Sequence, residues 1–142
     1  MSELRVIQKQ REQVRKRAKD CCEYCRSSSQ FAPDAFSVEH IIPRAKGGKT
    51  RLDNLALACQ GCNNHKYIKI EALDPVSGES VQLFNPRMQR WEGHFAWSDD
   101  FSYVEGLTAV GRATIAALDM NRVGLVNLRR VLCLVNEHPP KM

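Results

Sequence analysis

Two pairs of cysteines constrain the fold of this chain more than any other sequence feature. Cys22 and Cys25 form one CxxC pair, and Cys59 and Cys62 form another. The two sulfurs of a CxxC turn point the same way across a tight loop. Two such pairs can therefore hold one tetrahedral zinc ion at about 2.3 Å per bond. The sequence predicts a structural zinc site that joins the two ends of the intervening segment.

Two rival interpretations of the cysteines are disfavoured. Six cysteines would allow three disulfides, but the first twenty residues are charged and show no signal-peptide pattern, so we expect a cytoplasmic protein with reduced thiols. A redox CxxC motif is disfavoured because two matched pairs occur in one small chain. The wider spacing of Cys21 from Cys25 excludes it from the predicted zinc site. Cys133 is interpreted as a small apolar residue on the last predicted helix.

Four segments between and around the cysteine pairs together resemble the HNH endonuclease family, in the zinc-containing branch of the ββα-metal nucleases. They read CEYC (22–25), VEHIIPRAKGG (38–48), LDNLALAC (52–59) and CQGCNNHK (59–66). The match covers about a third of the chain. Its order and spacing are far more specific than an isolated Glu-His or CxxC. The resemblance implies a strand–loop–strand hairpin followed by a helix, all arranged around one divalent ion.

The resemblance also implies roles for four residues. His40 matches the general base that takes a proton from water, and imidazole suits this role because its ordinary pKa is about 6.5. Glu39 matches the acidic metal ligand, at a position where many family members have Asp. Asn54 matches the central asparagine that holds the loop positioning His40. Asn63 matches the third signature position, as a second ligand of the catalytic metal.

The predicted ligands suit a hard cation. With oxygen atoms from Glu39 and Asn63, the expected catalytic ion is Mg²⁺ or Mn²⁺. His65 is the alternative ligand, and its imidazole would move the preference toward Mn²⁺, Ni²⁺ or Zn²⁺. We favour the other interpretation of His65, as a phosphate or water contact on an exposed helix face.

Charge favours a nucleic-acid partner. The net charge is +5 at pH 7, and the first twenty residues contain seven lysines and arginines against three acidic residues. Each cation that neutralises a phosphate releases counterions. A solvated helix face is the alternative explanation. DNA is the predicted partner, RNA stays open as a substrate, and no apolar run is long enough for a membrane span. The predicted phosphate contacts near the site are Arg44, Lys46, Lys49, Arg51 and Lys66.

The predicted fold class is α+β. We expect an HNH core with a basic N-terminal helix over residues 1–74, and a C-terminal extension over 75–142 with a hairpin and helices packed on the core. The predicted elements are a helix over 3–20, a strand over 36–42, a short apolar segment over 55–58, a helix over 63–73, a short strand over 81–84, a hairpin over 94–104, a helix from a Thr108 cap to 121 and a helix over 122–136.

The sequence therefore predicts an HNH-type endodeoxyribonuclease that hydrolyses DNA phosphodiester bonds with a divalent metal. The alternative is a zinc-stabilised nucleic-acid-binding module that has the scaffold without the catalysis. A purely structural zinc protein is a third hypothesis, and it predicts no salt-dependent DNA binding. Cleavage of plasmid DNA, with a His40→Ala variant alongside, separates the first two.

Overall fold

The computed structural model describes residues 5–142. These residues form a mixed α+β fold with four α-helices and three two-stranded antiparallel sheets, which confirms the predicted fold class. Within the same residues, no helix is long and apolar enough to cross a membrane. The elements are α1 (Gln8–Arg17), β1 (Ser37–His40), β2 (Leu55–Ala58), α2 (Gln60–Lys66), β3 (Glu71–Leu73), β4 (Ser80–Gln82), β5 (Phe95–Trp97), β6 (Val104–Gly106), α3 (Ala109–Leu118) and α4 (Val123–Leu134).

The central unit is the β1–β2 hairpin followed by α2. His40 pairs with Leu55 at one end of the hairpin, and Ser37 pairs with Ala58 at the other. Strand β2 reads LALA and is buried along its whole length, so it forms the floor on which neighbouring elements pack. Cys59 then caps α2, because its sulfur accepts a hydrogen bond from the Cys62 N–H. The ββα order is therefore present.

Helix α1 begins later than predicted. The Gln10 side chain accepts a hydrogen bond from the Ile7 N–H at 3.0 Å, immediately before the first helical residue. The predicted cap Ser2 and the first-turn Glu3 lie outside the described residues. Val14 is the fully buried residue of the helix and packs against β2. The five cations of α1 are exposed, so the helix packs Val14 against the hairpin and presents a basic surface to solvent.

The second predicted helix, over 63–73, is only partly correct. Helix α2 ends at Lys66 because Tyr67 adopts φ +49°, outside the right-handed helical region. The chain then forms a β3–β4 hairpin, where the prediction had helix up to residue 73. Asp74 closes the turn of this hairpin by accepting from the Ser77 N–H and hydroxyl. Gly78, at φ +74°, completes the turn.

The C-terminal elements pack onto the cysteine-rich core. The main cluster of buried residues includes all four CxxC cysteines together with aromatic and aliphatic side chains from residues 83–125. Trp91 is 6% exposed and its indole N–H donates to the Tyr24 carbonyl at 2.8 Å. The predicted Thr108 cap of α3 is confirmed, because its hydroxyl accepts from the Gly111 N–H. The division into domains at residue 74 stays a prediction.

Candidate active site and zinc site

The four cysteines of the two CxxC pairs converge on one point. Their sulfur atoms all lie within 4.8 Å of one another, and every one of the four residues is buried and free of disulfide bonds. The sulfurs of Cys25 and Cys59 are 3.7 Å apart. Tetrahedral zinc with bonds of about 2.3 Å separates its sulfur ligands by about 3.8 Å. The cluster therefore fits a structural zinc ion. Neither Cys21 nor Cys133 belongs to it.

Backbone groups prepare the sulfurs as ligands. The Cys25 N–H points at Cys22 Sγ at 3.5 Å, and the Cys62 N–H points at Cys59 Sγ at 3.4 Å. Such N–H···S contacts favour the thiolate form that metal binding requires. The two turns therefore carry the same local geometry, as their matched spacing predicts.

The Asn54 side chain ties together the loop between β1 and β2. Its Oδ1 accepts from the Ile42 N–H at 2.9 Å, and its Nδ2 donates to the Ile42 and Lys49 carbonyls at 3.0 and 2.9 Å. Gly48 lies inside this loop, where a Cβ atom would be only 1.7 Å from the Ile42 carbonyl oxygen. These contacts fix the loop that follows His40.

His40 lies at the end of β1 and is half-buried. Its Nε2 is 2.8 Å from Thr50 Oγ1, across the Asn54-tied loop. Burial lowers the pKa of His40, and the positive charges of Arg44 and Lys66 lower it further. A lowered pKa keeps the imidazole neutral at neutral pH, which is the form that can accept a proton.

Glu39 occupies a buried polar cluster beside His40. It is 8% exposed, and its two oxygens have different partners: the Tyr24 hydroxyl donates to Oε2 at 2.7 Å, and Lys66 Nζ lies 3.0 Å from Oε1. Lys66 is 1% exposed and also donates to the Ile41 carbonyl at 2.8 Å. Burial raises the pKa of Glu39, and the Lys66 charge opposes that effect.

One of the predicted surface cations, Lys66, belongs to this buried cluster. Lys66 was predicted as a surface phosphate contact, but its ammonium group lies inside the fold and is neutralised by Glu39. Lys66 is therefore not available to bind phosphate at the surface. The other four predicted contacts are exposed, and they are Arg44, Lys46, Lys49 and Arg51.

Asn63 and His65 lie on different sides of α2. Asn63 precedes Lys66 by three residues in α2, and residues at this spacing are neighbours on one helix face. His65 is exposed, and its Nε2 is 4.0 Å from Asp119 Oδ2 at the end of α3. The choice between Asn63 and His65 as a ligand of the catalytic metal stays a prediction.

Two residues of the site were not predicted as functional. Tyr24 lies between Cys22 and Cys25, and the CxxC spacing predicts a role only for the two cysteines. Thr50 lies in the glycine-containing loop, and the sequence has no pattern that pairs it with His40. The sequence signals for this loop were the match of Asn54 and the basic residues on either side of Thr50, Lys49 and Arg51.

The fold and the site define a ββα unit with a histidine at the end of its first strand and a four-cysteine cluster that fits a structural zinc ion. Residues 22–68 match the family model described as HNH endonuclease. No curated protein and no solved structure matches the chain. Residues 22–68 include both cysteine pairs, the β1–β2 hairpin and α2. The resemblance drawn from the sequence is therefore confirmed for residues 22–68, about a third of the chain, which are similar to the HNH endonuclease family.

Proposed function

We propose that this protein is a metal-dependent endonuclease that hydrolyses DNA phosphodiester bonds. The observation that carries the proposal is the HNH domain match over residues 22–68, in which His40 lies at the end of β1 with its ring held by Thr50. HNH nuclease domains imply a nucleic-acid substrate, and the exposed basic loop beside His40 supports that assignment.

His40 acts as the general base. We assign the proton of the neutral ring to Nε2, which donates to Thr50 Oγ1 and leaves the Nδ1 lone pair free. In the reaction, the water oxygen attacks phosphorus while its proton passes to Nδ1. The bond between phosphorus and the 3′ oxygen breaks, and the leaving oxygen takes a proton from solvent. General-base catalysis of this kind contributes about 10²–10⁴-fold in rate.

Glu39 and Asn63 would hold the catalytic divalent ion. A carboxylate has about four acceptor positions, and hydrogen bonds from Tyr24 and Lys66 use two of those on Glu39. Oxygen ligands of this type suit Mg²⁺ or Mn²⁺. When bound, such an ion offsets negative charge on the phosphate and on the leaving oxygen. Asn54 is a positioning residue, since its three hydrogen bonds fix the loop next to His40.

The exposed cations around the loop would bind phosphates on either side of the cleaved bond. Arg44 and Lys46 lie on a short turn directly after β1, and Lys49 and Arg51 flank Thr50. Contacts of this type position the duplex without reading its sequence. Helix α1 adds a basic surface next to them, because Gln10 Nε2 contacts the Thr50 carbonyl at 3.4 Å.

A plasmid-cleavage assay tests the proposal. The zinc-loaded protein should nick or cut plasmid DNA with Mg²⁺ or Mn²⁺, and His40→Ala should lower the rate at least about 100-fold with unchanged zinc content. His94→Ala is the matched control, because His94 also pairs with a threonine, Thr108, at 2.7 Å but lies outside the hairpin. Wild-type protein that binds DNA but cuts with no divalent metal would refute the proposal and favour the non-catalytic binding module.

The Thr50 assignment has its own test. Thr50→Val removes the hydrogen-bonding oxygen at nearly constant volume, so kcat should fall about tenfold while KM for DNA stays close to the wild-type value. Thr50→Ser keeps the oxygen and should retain most of the activity. Equal losses in the valine and serine variants would contradict the assigned ring orientation.

Metal titration separates the two ligand alternatives. Asn63→Ala should raise the Mn²⁺ concentration needed for half-maximal cleavage, because a ligand oxygen is lost. His65→Ala should leave that concentration unchanged, because His65 is exposed and faces Asp119. The opposite result would exchange the roles of Asn63 and His65.

A further inference from the structure

Arg122, at the start of α4, reaches back to the zinc cysteines. Its Nη2 donates to Cys59 Sγ at 3.3 Å, and its Nη1 lies 3.8 Å from Cys62 Sγ. Nη1 also donates to the Asp119 carbonyl at 3.1 Å, which fixes the plane of the guanidinium. One cation from the C-terminal part of the chain thus contacts both sulfurs of the second cysteine pair.

Gly61 provides the space for this contact. A Cβ atom at Gly61 would lie 2.4 Å from Arg122 Nη2 and 2.5 Å from its Cζ. Glycine is otherwise unfavourable inside a helix, because it loses more backbone freedom on folding than any other residue. Its position in α2, between the two cysteines that Arg122 contacts, is explained by the close approach of the guanidinium.

The net negative charge of a four-thiolate zinc site explains why the Arg122 contact would matter. A zinc ion with four thiolates carries a net charge of about −2, and here all four sulfurs are buried. A buried charge of this kind is costly unless it is paired and hydrogen-bonded. N–H donors from a cation also withdraw electron density from the sulfurs, which makes them poorer targets for protons and electrophiles. Residues that hydrogen-bond metal ligands in this way typically change metal affinity 10–100-fold.

We propose that Arg122 is an outer-shell residue of the zinc site, whose guanidinium offsets the thiolate charge and slows zinc release. The proposal extends the metal site from the HNH segment to α4, about sixty residues further along the chain. It depends on the zinc site and is independent of whether the protein cleaves DNA.

Zinc-release kinetics of the 142-residue chain test this role. Zinc transfer to a chromogenic chelator at neutral pH should be about tenfold faster for Arg122→Gln than for wild type. Metal analysis should show the same starting zinc content in each protein. Arg130→Gln is the matched control, since Arg130 is an exposed arginine of the same helix that packs over Tyr103. Its release rate should equal the wild-type rate.

Gly61→Ala provides a second, independent perturbation. The added methyl group displaces the guanidinium and leaves Arg122 in the sequence, so zinc release should again be faster. In the Arg122→Gln background, the same glycine change should have no further effect. This coupling is a result that a general loosening of α4 would not produce.

The outcomes are decisive in each case. Wild-type release rates in both Arg122→Gln and Gly61→Ala would overturn the proposal, as would an equal acceleration in Arg130→Gln. Additive accelerations from the Gly61 and Arg122 changes would also contradict it. Should Arg122→Gln fail to fold, Gly61→Ala alone decides the matter, because a wild-type rate in that variant overturns the proposal.

Discussion

Replacing Lys66 with methionine is the most informative perturbation of this fold. Lys66 is 1% exposed, and its ammonium group contacts Glu39 Oε1 at 3.0 Å and the Ile41 carbonyl at 2.8 Å. Methionine fills nearly the same volume but leaves the Glu39 carboxylate buried with Tyr24 as its remaining hydrogen-bond donor. Loss of one partner from a buried ion pair costs about 3–5 kcal/mol. For a chain of this size, that corresponds to a fall in Tm of about 10–20 °C.

A double-mutant cycle shows whether the cost comes from the ion pair. In a Glu39→Gln background the charge is already absent, so Lys66→Met should leave mainly the Ile41 carbonyl unpaired, at about 1–2 kcal/mol. The coupling energy between the two positions should therefore be about 2–3 kcal/mol. Urea unfolding at pH 7 in zinc-saturated buffer measures all four proteins, with zinc content checked in each.

Lys69→Met is the control for Lys66→Met. Lys69→Met removes the next lysine along the chain, which is exposed and contacts the His65 carbonyl. That change should alter the free energy of unfolding by less than about 0.5 kcal/mol. If Lys66→Met costs the same in both backgrounds, to within about 0.5 kcal/mol, the buried Glu39–Lys66 pair is not what stabilises this part of the core.

Three further predictions concern the loop, the C-terminal part and the metal. Gly48→Ala places a Cβ 1.7 Å from the Ile42 carbonyl oxygen, so the free energy of unfolding should fall by about 1–3 kcal/mol and the rate of DNA cleavage should fall as well. Gly93→Ala is the control, because the space around Gly93 is open. It should leave the melting temperature and the plasmid-cleavage rate unchanged. Arg112 donates two hydrogen bonds to Asp74 and lowers the pKa of its carboxyl group. The resulting stabilisation is complete above the ordinary pKa of about 3.9 and is lost as the pH falls. The Tm difference between wild type and Asp74→Asn should therefore shrink below about pH 4, and a difference that is constant with pH would contradict the assignment. Removal of zinc by a strong chelator should abolish cooperative melting, and added zinc should restore it; an unchanged melting curve would argue against a structural metal.

The four-cysteine cluster was predictable from the local geometry of the CxxC turns, and the ββα order was predictable from the resemblance to the HNH family. Each CxxC turn sets its own sulfur geometry, and the alternation of loop and apolar segments marks β1 and β2. The end of α2 was not predictable, since it depends on a positive φ at Tyr67. A tyrosine rarely adopts that conformation, and nothing in the neighbouring sequence requires it. Tertiary packing of the β3–β4 hairpin decides the outcome there.

The polar partners in the site illustrate the same limit. A lysine four residues after the last zinc cysteine resembles a surface cation in sequence, and only its position on the inner face of α2 brings Lys66 to Glu39. The contact between Arg122 and the cysteines is even harder to predict from sequence, because Arg122 is sixty residues from Cys62 and lies in no recognisable motif. Long-range pairs of this kind are specified by how the elements pack.

The Trp91–Tyr24 hydrogen bond links the HNH-like segment to the C-terminal part of the chain. The HNH motif ends by residue 68, yet the carbonyl inside its first cysteine turn is satisfied by an indole from a later part of the chain. A fragment that stops at residue 74 would lose that donor and expose the apolar side of the cysteine cluster. We therefore expect the isolated HNH-like segment to fold poorly. Fusions or grafts that use it should also include the C-terminal residues up to 142.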